Sequence, residues 1–112
     1  MMMKLFSRTN DLDALPKKFD VVVEAVRRTE DGHIQVARIY ERRGPTWSDR
    51  LLVQRDDLIR RIRAGKKVVI GERKEFMAST FQVKTAVYLD GSNLACRGQD
   101  DHGLELSQAP LF

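Results

Sequence analysis

The sequence predicts an α+β domain: small and strand-rich, mostly antiparallel sheet or a partly open barrel of about five to six strands, with one helix (residues 56–64) between two hairpins. Three observations carry this. Apolar, β-branched runs recur at VVVEAV (21–26), VVI (68–70) and TFQVKTAVYL (80–89). Asp-Gly pairs stand at Asp31-Gly32 and Asp90-Gly91, where a strand must reverse. Only RDDLIRRIRAG (55–65) spaces its apolar residues for a helix.

The first strand is FDVVVEAVRR, Phe19 to Arg28. Asp31-Gly32 turns it into HIQVARIYER, His33 to Arg42. Strict alternation would put Ile34, Val36, Arg38 and Tyr40 on one face, and Gln35, Ala37, Ile39 and Glu41 on the other. Both sets mix apolar and polar residues, so both faces of the sheet are expected to be partly covered.

Gly44-Pro45 breaks the strand, and an extended pattern resumes through WSDRLLVQ, with Leu51 and Val53 on one face. In the helix, Leu58, Ile59 and Ile62 form a narrow apolar stripe. Asp56 and Asp57 suit its positive end, Arg60, Arg61 and Arg63 suit its negative end, and Gly65 suits the exit. Val68 to Ile70 read as a buried strand, and Gly71 to Glu75 as an irregular charged link. Phe81, Val83, Thr85, Val87 and Leu89 then alternate cleanly onto one face, and NLACR returns after Asp90-Gly91.

The 112 residues fit one domain. Residues 1–18 read as a flexible lead-in, 19–98 as the globular part, and 99–112 as an acidic, flexible tail. No apolar run is long enough to span a membrane, and a reduced, cytoplasmic setting is the expectation. Cys96, the only cysteine, is expected in the core, where it excludes an intrachain disulfide.

The formal net charge is +4, unevenly spread. Between Arg27 and Lys67 there are twelve Lys/Arg against six Asp/Glu. A basic middle of this kind meets phosphates or an acidic protein. The stretch YERRGPTWSD (40–49) adds the single tryptophan. Arg42, Arg43 and Arg50 flank Trp47, which either plugs the end of a barrel or is presented outward for stacking. Arg60, Arg63, Lys66 and Lys67 form a second basic group along the helix and its exit.

These eight residues are the candidate contacts to nucleic acid or another anion. The functional expectation is therefore a small non-enzymatic binding domain. The alternatives are a protein-interaction or homodimeric assembly domain that closes open sheet edges, and a barrel with a small-molecule or enzymatic site. No catalytic set, cofactor motif or metal centre stands out. His33 lies at a hairpin, and Asp100-Asp101-His102 in the tail would make at most a weak chelate.

Overall fold

The computed structural model describes residues 18–74, 81–96 and 105–112. Among them the elements run β1 (Val21–Arg28), β2 (Ile34–Arg43), β3 (Thr46–Trp47), β4 (Leu51–Gln54), α1 (Arg55–Arg63), β5 (Val68–Arg73), β6 (Phe81–Asp90) and β7 (Asn93–Cys96). The strands form one curled sheet in the order β3-β2-β1-β5-β6-β7, with β4 also pairing β2. Every pairing is antiparallel except the central one, β1 with β5. The result is the strand-rich α+β half-barrel that the sequence predicts, with a short seventh strand, β3, folded from the Gly44-Pro45 corner.

The helix begins one residue early and ends on a glycine exit. Gly65, at φ 91°, lets its amide donate to the Ile62 carbonyl while the Lys66 amide donates to that of Arg61. That pair of bonds closes the last turn and delivers the chain straight into β5. Leu58 and Ile59 are buried against the sheet, with Ile62 packed beside them.

Two apolar clusters lie on opposite faces of the sheet. The larger sits under α1 and holds Val21, Val23, Ile39, Leu58, Ile70 and Leu94; Cys96 is fully buried in it. The smaller joins Val22, Tyr40 and Val69 to Phe19, Trp47, Phe81 and Val83. The alternation within Val21-Val22-Val23 thus serves both faces, which is why these strands read as continuous apolar runs.

Register shifts correct three face assignments. The ladder skips Glu24 between Val23 and Ala25, skips Gln35 between Val36 and Ile34, and skips Lys84 between Val83 and Thr85. Each skipped residue switches the face its strand presents. Ile34 accordingly joins Ala37 and Ile39 in the main core, apart from Arg38 and Tyr40. Phe81 and Val83 pack with the aromatic cluster, whereas Val87 and Leu89 pack on the main one. The Gly71–Glu75 link is strand through Arg73, because Gly71 sits at the third shift; Glu75 lies outside the described residues.

The C-terminal end departs from a flexible tail. Residues 99–104 lie outside the described residues, but from Glu105 onward the chain packs onto the domain. Leu106 and Ala109 are buried in the main core. The Val26 amide donates to the Pro110 carbonyl and the Phe112 amide to that of Val26. This segment lines β1 where β5 has parted from it, and the Leu106 amide meets the outer edge of β7 at the Leu94 carbonyl. The apolar residues Leu106 and Ala109 supply the burial that the local acidic charge obscures, while Leu111 stays exposed. Of the lead-in, only Lys18 is described, and it is exposed.

Candidate nucleic-acid interface

The parallel pairing of β1 with β5 decides where the basic residues meet. A parallel neighbour needs a crossover, and here the crossover runs through β2, β4 and α1. It returns the helix exit to the end of the sheet where β1 begins and β2 finishes. Val21 is paired with both Glu41 and Val68 at that end. Arg42 and Arg43 of β2 are therefore brought to Lys66 and Lys67 and to the last turn of α1.

Glu41 is the hub of this basic end. Arg61 Nε donates to its carboxylate at 2.8 Å, and Arg43 lies 3.9 Å away. The Arg61 hydrogen bond holds the Glu41 carboxyl below the ordinary carboxylate range; burial opposes this, and the charges of Arg61, Arg43 and Lys66 support it. Arg60 pairs with Asp57 one turn earlier on the helix, at 2.7 Å. A shallow pocket of about 320 Å³ opens between Glu41, Arg60, Arg61 and Lys66. Arg63, Lys66 and Lys67 are exposed and form no ion pair among the described residues.

Trp47 borders the same end on the opposite face of the sheet. Its ring centre is 4.7 Å from that of Phe81 and 5.6 Å from that of Phe19, and the Arg42 guanidinium lies 4.6 Å over it. Arg42 also donates to the Phe19 carbonyl at 3.0 Å. The indole is thus half-buried inside an aromatic cluster, neither a plug in the main core nor an open plate. Its ring holds Arg42 in place at the edge of the basic end.

Arg50 stands apart from the other seven candidates. The skipped residue Glu24 accepts hydrogen bonds from Arg38 at 2.8 Å, Arg50 at 3.0 Å and the Tyr40 hydroxyl at 2.9 Å. Burial pushes the Glu24 carboxyl up, but the bonds from Tyr40 and Arg50 and the charges of Arg50 and Arg38 outweigh it, so the group stays below its usual range. Burial and the neighbouring Glu24 push the Tyr40 hydroxyl the other way. Arg73 stacks 4.2 Å over the Tyr40 ring. With Asp49, these residues frame a second pocket of about 440 Å³.

A further polar cluster holds the fold rather than a ligand. Glu105, only 2% exposed, accepts from Arg55 Nε at 2.8 Å, the Leu94 amide at 2.8 Å and the Ile34 amide at 3.2 Å. Its other neighbour is half-exposed His33, with Nδ1 3.5 Å away. Arg28 donates to the backbone carbonyls of Glu105 and Leu106. The cluster ties together β2, β7, the start of α1 and the C-terminal segment.

Among the described residues no group of three His, Cys, Asp or Glu side chains is placed to hold a metal, and no helix is long and apolar enough to cross a membrane. His102 and the Asp100-Asp101-His102 cluster lie outside them. Comparison with protein-family models, with curated proteins and with solved structures returned no match.

The structure thus brings Arg42, Arg43, Arg60, Arg63, Lys66 and Lys67 to one end with Trp47 at its margin, and places Arg50 in a separate network. Sequence reasoning left Arg61, Glu24, Tyr40, Asp49 and Arg73 out of the candidate set. Glu24 carried a legible signal, a carboxylate inside an apolar β-branched run, which demands a partner. Arg73 carried none, because its position depends on where β5 and β6 curl.

Proposed function

We propose that this domain binds nucleic acid without chemistry of its own, holding backbone phosphates at the basic end. The observation that supports it is the convergence of Arg42-Arg43 with Arg60–Lys67 through the β1–β5 crossover. Seven cations gather there around four carboxylates, Asp20, Glu41, Asp56 and Asp57. The unpaired members Arg63, Lys66 and Lys67 are free to neutralise phosphates, which releases counterions and makes binding salt-sensitive. Arg42, pinned on Trp47, offers a pre-oriented donor at the same end on the other face of the sheet.

Fluorescence anisotropy with labelled single- and double-stranded oligonucleotides at two salt concentrations tests this. Affinity is expected to fall steeply as salt rises. The triple variant R63E/K66E/K67E should lose at least about tenfold in affinity and flatten the salt slope by about 2–3, since three phosphate contacts are removed. All three positions are exposed, so the variant should keep the wild-type circular dichroism spectrum. Absence of binding, or an unchanged salt slope in the variant, overturns the proposal.

A further inference from the structure

The pocket framed by Tyr40, Asp49, Arg50 and Arg73 is lined by one carboxylate and two guanidinium groups that form no ion pair with it. Asp49 is exposed and its carboxylate forms no ion pair among the described residues, although two guanidinium groups line the same pocket. Arg50 spends Nε on Glu24 and Tyr40 and Nη2 on Glu24, which leaves Nη1 without an acceptor among the described residues. Arg73 is less satisfied still. Among the described residues its one hydrogen bond is a long one, 3.4 Å from Nη2 to the Ser48 carbonyl, and its buried Nε meets no acceptor there. With so few acceptors taken, the Arg73 guanidinium keeps donor capacity that a ligand's acceptor in the pocket could use.

A lone phosphate or carboxylate does not match this lining, because Asp49 repels it. A simple cation does not match it either, because Arg50 and Arg73 do. The lining is complementary to a flat group with acceptors along one edge and N–H donors along the next. Of the nucleobases, guanine has that pattern: O6 and N7 suit an arginine, and N1–H and the 2-amino group suit a carboxylate. Arg73, stacked on Tyr40 and 5.3 Å from the Phe81 ring centre, is held by aromatic faces and keeps its edge for such a partner.

We propose that this pocket takes a guanine base from a single strand, with Arg73 and Arg50 facing its acceptors and Asp49 facing its donors. Ser48 and Trp47 connect the pocket to Arg42, so a strand held by its phosphates at the basic end has a short path to it. The inference rests on the phosphate-binding reading above and adds base preference to it.

Short thymidine oligonucleotides carrying one central guanine, adenine or cytosine separate the two. The guanine oligonucleotide is expected to bind about tenfold or more tightly than the others. D49N should bring it down to their level, because an amide returns a donor where the base also donates. Equal affinity for all three, or a guanine preference that survives D49N, overturns the pocket assignment while leaving phosphate binding standing. Failure of every oligonucleotide to bind removes both. Asp49 is exposed, and an unchanged urea midpoint for D49N shows that lost preference is not lost fold.

Discussion

Replacing Glu105 with alanine is expected to lower the unfolding free energy by about 3–5 kcal/mol, measured by urea denaturation at neutral pH. The cost lies in what the carboxylate leaves behind. Arg55 loses a bidentate partner, with Nη2 at 2.7 Å and Nε at 2.8 Å, and the amides of Leu94 and Ile34 lose their acceptor in the interior. Against a total of roughly 5–15 kcal/mol for a domain of this kind, the loss is large enough to unfold a substantial fraction of the molecules.

The same group sets the acid limit of the fold. Burial alone would push its carboxyl up, but Arg55 and the two amides bring it down to about 2, from an ordinary 4.5. A folded-state value below the unfolded one means that the stabilisation is present above pH 4.5 and is lost as pH falls from 4.5 towards 2. The shift corresponds to about 3 kcal/mol. Wild-type stability should therefore decline across that interval. The alanine variant should lack this component of the decline, and an equally steep loss in the variant would assign the acid limit to other carboxylates.

Gly71→Ala is the second substitution with a large expected effect. A Cβ at this position would stand 2.6 Å from the Gln82 carbonyl oxygen and 3.2 Å from Val83 Cα, both backbone atoms of the neighbouring strand. Neither can swing aside as a flexible side chain would. The ladder between β5 and β6 must open at its register shift, at a cost of about 1–3 kcal/mol. The displaced strand carries Phe81 and Val83, so Trp47 fluorescence should change along with the midpoint of denaturation. An alanine variant as stable as the wild type would show that the two strands stand further apart than described.

How much of this was legible depends on the range of the interaction. The helix, its acidic start and its Gly65 exit were readable because each rests on neighbours a few residues apart. Both Asp-Gly reversals were readable for the same reason. The face assignments of Ile34, Phe81 and Val83 were not, since a skipped residue leaves no trace in an alternating pattern until its partner strand is known. Asp100, Asp101 and Glu105 made the end of the chain look solvent-bound, yet Glu105 is among its most buried residues. Its sequence neighbours give no hint of Arg55, which lies fifty positions away. The basic group on the helix was legible as a list, and its union with Arg42 and Arg43 required the parallel β1–β5 pair.

That pair also bears on the order of assembly. The β1–β2 hairpin closes a short loop, whereas the Lys67 amide meets the Asp20 carboxylate across 47 positions of chain. Ordering so long a loop costs entropy before the pairing returns energy, so the centre of the sheet is expected to form after its flank. In pulse-labelled hydrogen exchange during refolding, the Val21 amide, bonded to the Lys67 carbonyl, should gain protection later than the amides of the β1–β2 hairpin. Simultaneous protection would mean instead that the crossover is already in place when the hairpin closes. On the expected order, the basic end exists only once the long loop between β1 and β5 has closed, and binding competence arrives after the hairpin rather than with it.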